Sequence, residues 1–288
     1  MANTITLKRR IASVKGTKQI TKAMELVSAS KMRRAQERAA SGRTYRQFAY
    51  SLLTRLSMIT EVEDHPLFVK RPVKTRLYIV MTSNSGLAGA YNANIIRMFA
   101  KMLIADEKAG IKSQVLSVGK KGAQFVRNIR QADLIAAYTD VGDSPDANDI
   151  RPILDTAADM YRDKKVDNVT LLYTQFKSNI VQEATELSLL PARFDKTDEQ
   201  TGISNTTFEP SIEVVLDSVT ERLLEVQVYQ AYLESKASEE SMRMMAMKNA
   251  TDNATDLIAD YTLEYNTARQ AAITQELAEI TGGAEALQ

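Results

Sequence analysis

The chain has no cysteine among its 288 residues. That excludes a disulfide framework, a thiolate metal site and a cysteine nucleophile. It has a single histidine, His65, followed by Pro66. With no second imidazole to build a site around, His65 is read as a loop residue and not as a catalytic or metal-binding one. No run of 18 apolar residues occurs, so no segment reads as a membrane span. Met1–Arg10 carries no apolar signal core, and a reducing, cytosol-like compartment is expected. Charge of neither sign dominates: formal net charge is +1. Apolar content of 44% and charged content of 25% are those of a folded protein of one or two domains.

Proline is absent from both ends: none precedes Pro66 and none follows Pro210. Those ends carry long helical patterns instead. From Ile212, an alternating four-and-three stride runs through Leu216, Val219, Leu223, Val226, Gln230, Leu233, Ala237, Glu240, Met244, Met247, Thr251, Ala254, Ile258, Tyr261, Tyr265, Ala268 and Ala272. Only Gln230, Glu240 and Thr251 in that series are polar. A period near 3.5 held this long marks a coiled-coil strand, and at about 1.5 Å per residue it implies a rod on the order of 90 Å. Such a seam needs a helical partner. Thr4–Ile59 supplies one: it reads as a single helix with apolar patches at Leu7, Ile11 and Val14, at Ile20, Met24 and Val27, at Ala35 and Ala39, and at Phe48, Leu52, Leu56 and Ile59. Its phase drifts between patches. The two terminal helices are expected to pair, with the rest of the chain inserted between them: residues 1–60, 61–210 and 211–288.

The insert follows a different pattern. Arg76–Ser83, Ser113–Val118, Val169–Phe176 and Glu183–Leu190 read as strands; Ala90–Lys108, Lys121–Ile129 and Ile150–Arg162 read as helices. This alternation predicts a mostly parallel sheet flanked by helices. Asp140–Asp149 reads as a polar loop and Phe194–Pro210 as a polar connector.

Few features suggest chemistry. Ser83–Asn92 joins a strand to a helix, where phosphate loops occur, but Gly86 and Gly89 form neither the three-glycine dinucleotide fingerprint nor a Gly-Lys-Ser/Thr loop. It is read as a tight turn, as is Val118–Gly122. Glu239 and Glu240 are read as a solvated helix face, and Met242, Met244, Met245 and Met247 as packing residues. Basic charge is concentrated at the start: Lys8 to Arg46 holds Lys8, Arg9, Arg10, Lys15, Lys18, Lys22, Lys31, Arg33, Arg34, Arg38, Arg43 and Arg46 against Glu25 and Glu37. An acidic partner surface is expected there. On residues alone, a basic hairpin that binds nucleic acid is one reading and an α/β enzyme with helical arms another; the first lacks interleaved aromatics, the second an acid/base or phosphate constellation.

Ile11–Arg34 (IASVKGTKQITKAMELVSASKMRR) and Arg269–Ala284 (RQAAITQELAEITGGA) resemble the first helix and the terminal signature of the γ subunit of bacterial F-type ATP synthase. Ile273, Thr274, Glu276, Glu279, Gly283 and Ala284 satisfy that signature, and Val226–Gln230, Met245–Asn253 and Gly86–Gly89 are also similar. The resemblance implies a long antiparallel coiled coil of the terminal helices plus an inserted Rossmann-like α/β domain with a mostly parallel sheet. It implies a central rotor shaft without an active site of its own, coupling c-ring rotation to ATP synthesis or hydrolysis on the β subunits. The implied partners are an α3β3 hexamer, the ε subunit and the c-ring, in a hetero-oligomer without nucleic acid. Mg-ATP and Mg-ADP would be held by α and β, with no cofactor on this chain. The absence of a transit-like segment favours a peripheral place on the cytoplasmic face of a bacterial plasma membrane. The implied rotor–stator contacts are Arg269, Gln270 and Thr274 as a catch for a β loop, and Lys8, Arg9, Lys31, Arg33 and Arg34 as charge partners for the acidic β lever. Met24 is expected opposite the Arg243 region.

Overall fold

A computed structural model describes residues 2–56, 65–142, 145–192 and 212–285. The expected connector Phe194–Pro210 lies outside them, as do the last residues expected of the first helix, 57–59. Contacts divide the chain into two units: residues 1–29 with 243–288, and residues 30–242. Both boundaries fall inside long helices, α1 (Ala2–Leu56) and α5 (Ile212–Glu285), so each helix contributes to both units.

In the first unit α1 and α5 run antiparallel. Thr21 and Thr251 bring their hydroxyls to 2.8 Å, while the Arg10 guanidinium sits 5.9 Å from the Tyr261 ring centre. Moving back along α1 therefore means moving forward along α5. On α5 the buried or half-buried positions include Met247, Thr251, Ala254, Ile258, Tyr261, Tyr265, Ala268 and Ala272, the stride expected of a coiled-coil seam. The side chains of Ile212 and Leu216 lie outside the described residues.

On α1 the seam departs from expectation. Ile20 is 63% exposed and Val27 55% exposed, and Leu26 beside them is 61% exposed. The covered positions include Leu7, Ile11, Val14, Lys18, Thr21, Glu25 and Ser28, a four-and-three stride, with Met24 half-buried beside it. The phase does not drift: the stride set by Leu7 continues through polar residues, Lys18, Thr21, Glu25 and Ser28. Thr21 satisfies itself against the Lys18 carbonyl and Thr251, so a polar residue fits the seam without an unpaired group.

The second unit holds a five-stranded sheet in the order β3-β2-β1-β4-β5. Its strands are β1 (Thr75–Met81), β2 (Lys112–Val118), β3 (Ala132–Tyr138), β4 (Asn168–Phe176) and β5 (Gln182–Leu190). The first four are parallel neighbours and β5 pairs antiparallel with β4. The helices between them are α2 (Tyr91–Lys108), α3 (Lys120–Arg127) and α4 (Ala147–Arg162). β3 was not expected as a strand; ADLIAAY carries three alanines, which favour strands weakly, and it is held as an edge by pairing with β2. The expected loop Asp140–Asp149 is shorter than its sequence suggests, because α4 starts at Ala147, where Asp149 accepts the Asp146 N–H at 2.9 Å.

Period-two alternation sorts β1 between two cores. Leu77, Ile79 and Met81 join Ile153, Leu154 and Ala157 of α4 and Leu224, Val228 and Tyr232 of α5 on one face. Tyr78 and Val80 join Ile95, Phe99 and Leu103 of α2 and Val126 of α3 on the other. In this unit α5 is thus a structural layer of the sheet.

Candidate functional site

The loop after β1, which leads into α2, and the Val118–Gly122 turn after β2, which opens α3, lie side by side and hydrogen-bond to each other. A helix N-terminus presents free N–H groups, but those of α3 are taken. Lys120 N–H donates to Asn84 Oδ1 (3.0 Å), Lys121 N–H to the Ser83 carbonyl (3.1 Å) and Gly122 N–H to Thr82 Oγ1 (2.8 Å). Gly119 has φ +99°, and a Cβ there would lie 2.1 Å from the Thr82 carbonyl oxygen. Ser83 N–H donates to Asn92 Oδ1 (3.0 Å), and Ser83 Oγ accepts from Asn92 Nδ2 (2.7 Å). The small residues serve close approach between the ends of β1 and β2. The remaining crevice is closed by Tyr232, Ser235, Lys236 and Glu239 of α5.

Glu239 and Glu240 are not a solvated face: they are 3% and 2% exposed. Lys236 Nζ reaches Glu239 Oε2 at 3.1 Å, a pair whose mutual satisfaction offsets the cost of burial. The methionines pack as expected, with Met247 5% exposed, although Met245 remains 40% exposed. His65 sits in a turn but is buried. Its Nδ1 accepts the Leu67 N–H at 3.3 Å, which leaves the proton on Nε2, 2.8 Å from Asp217 Oδ1. Among the described residues no cluster of His, Cys, Asp or Glu is arranged to hold a metal ion.

A second polar cluster lies under β1. Asp106, 2% exposed, accepts from the Tyr78 hydroxyl (2.6 Å), Arg76 (2.6 Å) and Ser113 (3.3 Å). Burial, and then the bond to Asp106, push the Tyr78 phenol well above its ordinary range. The cluster serves to satisfy a buried carboxylate.

The residues singled out from sequence lie on the two long helices. In the first unit Lys8, Arg9, Arg269, Gln270 and Thr274 are exposed, and Thr274 Oγ1 returns to the Gln270 carbonyl at 3.0 Å. Met24 is half-buried beside the seam and Arg243 is 6% exposed. Carrying the Thr21–Thr251 register along sets Met24 level with about Lys248, and Arg243 about one and a half turns further, near Ala29. In the second unit Arg33 and Arg34 are exposed and Lys31 is half-buried. What sequence reasoning missed is the outward apolar set of the first unit. Ile20, Leu26 and Val27 on α1, and Leu263, Ile273, Leu277 and Ile280 on α5, are each at least 48% exposed. The signal was available: those on α1 fall off the stride that Leu7 begins, and those on α5 fall off the one that Ile212 begins.

The family model described as ATP synthase matches residues 3–287. The chain is 41% identical over 288 residues to the ATP synthase gamma chain of Moorella thermoacetica, covering 100% of both. It is 42% identical over 280 residues to that of Brevibacillus brevis, covering 97% of each. Among solved structures, it resembles a chain of the Tetrahymena thermophila mitochondrial ATP synthase central stalk and c-ring, with a TM-score of 0.63, 26% identity, 80% of this chain and 99% of that one covered. A chain of the Euglena gracilis mitochondrial enzyme shares the fold, with a TM-score of 0.69 at 19% identity, covering 99% of this chain and 95% of that one.

Proposed function

We propose, from the premise that the chain belongs to the ATP synthase gamma-chain family, the way in which it works as that enzyme's central stalk. The chain is a non-catalytic subunit of the complex. The observation that carries the reading is the antiparallel pairing of α1 and α5 along one seam, with basic and apolar side chains facing outward.

A pair of unlike helices has no threefold symmetry. Inside a ring of three α and three β subunits, each β subunit would meet a different face of the pair. A contact shifts a conformational equilibrium only through its different strength in the two states. Turning an asymmetric pair therefore moves each β subunit in turn among binding, synthesis and release. Arg269, Gln270 and Thr274 lie exposed near the end of α5, which fits a catch on a β loop. Lys8, Arg9, Lys31, Arg33 and Arg34 offer positive charge to an acidic lever, and Ile20, Leu26 and Val27 offer apolar contact. Mg-ATP and Mg-ADP are assigned to α and β. The insert is assigned to contacts with ε and the c-ring, which would hold the chain peripherally on the cytoplasmic face of a bacterial plasma membrane. Among the described residues no helix is long and apolar enough to cross a membrane.

The test is reconstitution of α and β with and without this chain. Steady ATP hydrolysis should require it, and the isolated chain should hydrolyse none. Met24→Lys adds charge beside the seam about one and a half turns from Arg243, and is expected to lower the number of protons moved per ATP in the full complex. An unchanged ratio would count against that assignment.

A further inference from the structure

Every third residue from 235 to 241 on α5 is a serine, and all three are buried: Ser235 is 2% exposed, Ser238 and Ser241 0%. Ser235 Oγ lies 2.7 Å from the Tyr91 hydroxyl and accepts the Thr174 N–H at 3.3 Å. Ser238 Oγ donates to the Thr174 carbonyl at 3.2 Å. Ser241 Oγ donates to the Asn179 carbonyl at 3.0 Å and accepts from Gln182 Nε2 at 3.1 Å. Both backbone groups of Thr174 thus end on α5.

Strand geometry gives the reason. β4 pairs with β1 only from Asn168 to Leu172, and Thr174 lies two residues past that last pair. The N–H and C=O of one strand residue point to the same edge. β1 no longer reaches Thr174, and Ser235 and Ser238 take the missing strand's place. Positions at i, i+3 and i+6 follow a row inclined by about 45° to a helix axis. The three attachments therefore step round α5 instead of lying along one line. Such an arrangement opposes both sliding and spinning of the helix. The apolar contacts of Leu224, Val228 and Tyr232 with the sheet are non-directional and oppose spinning weakly.

We propose that Ser235, Ser238 and Ser241 are the grip through which torque passes between the sheet of the second unit and α5. This rests on the central-stalk reading. The serines are positioning residues: they touch no nucleotide, and they fix the helix whose unbroken backbone continues through Arg243 into the first unit.

The test uses the chain assembled with α and β on a surface. The cysteine-free sequence allows a probe bead on one engineered thiol, Lys108→Cys, on an exposed residue of α2. Angular fluctuation of the bead is recorded with the motor stalled, and ATP hydrolysis is measured without the bead. With Ser235, Ser238 and Ser241 all changed to alanine, the angular variance should at least double while hydrolysis stays within about one and a half times that of the parent. Restoring Ser238 alone should recover part of the stiffness. An unchanged variance overturns the proposal, and so does a parallel loss of hydrolysis and stiffness, which would mark a general loss of structure. Should the triple variant fail to assemble, Ser238→Ala alone is measured in the same way, and an unchanged variance again overturns it. If the parent chain itself does not support hydrolysis by α and β, the central-stalk reading falls instead.

Discussion

Thr174 is held by its backbone, not by its side chain. Its hydroxyl is buried without a hydrogen-bond partner among the described residues, although the residue is only 1% exposed. An orphaned buried hydroxyl costs about 1–3 kcal/mol. Thr174→Val keeps the shape and both serine bonds, so thermal unfolding should show a gain of about 1 kcal/mol. Gly119→Ala should do the reverse: its φ of +99° and the Thr82 oxygen 2.1 Å from a new Cβ leave no room, and a loss of more than about 2 kcal/mol is expected in the same measurement. Tyr78→Phe removes a bond to a buried carboxylate, worth about 1.5–3 kcal/mol. Its effect on pH follows from the raised phenol. A group that holds its proton more tightly when folded contributes fully below its unfolded value, about 10, and that contribution is lost as pH rises beyond it. The parent should lose stability above about pH 10, and Tyr78→Phe should lose it less steeply. Tyr161 and Tyr229, also raised by burial, keep some of the slope. Equal alkaline slopes in urea titrations of the two proteins would contradict this account.

The two long helices show what a single-sequence pattern carries. α5 was legible because its seam is apolar at most positions. α1 was legible as a helix, but its seam only in part: Leu7, Ala35 and Ala39 are buried as expected, while between them the seam passes through Thr21 and Ser28 and leaves Ile20 and Val27 facing out. A hydrophobic count assigns the wrong face wherever hydroxyls pair across a close contact. The distinction is measurable. Leu7, 1% exposed, should cost about 2–4 kcal/mol when changed to alanine. Ile20→Ser should change the stability of the isolated chain by less than about 0.5 kcal/mol, yet weaken docking to α and β. β3 and the start of α4 escaped notice for other reasons. An alanine-rich edge strand has little propensity of its own, and an aspartate-rich turn hides the residue that caps the next helix.

At the scale of the whole molecule, the basic surplus of α1 belongs to a chain of net charge +1, so it is a local field and not a general affinity for polyanions. Its contribution to docking should therefore screen. Lys8→Gln with Arg9→Gln is expected to weaken binding to the α–β assembly several-fold at about 0.05 M salt, and the difference should shrink toward none near 1 M, where the Debye length is about 3 Å. A salt-independent loss would mean these side chains contribute by packing instead.

The sequence by itself determined the pairing of helical ends, the mostly parallel sheet between them and the family. Each of these rests on periodicity or on local motifs, and local periodicity is what one chain records. Only the tertiary structure decided which face of α1 turns inward, that Glu239 and Glu240 are buried, and that three serines of α5 complete the open end of β4. The last of these depends on where one strand stops relative to a helix some sixty residues further along the chain, and the first on a pairing across most of the chain's length. A hydroxyl's partner is set by that meeting, and nothing in the neighbouring residues announces it.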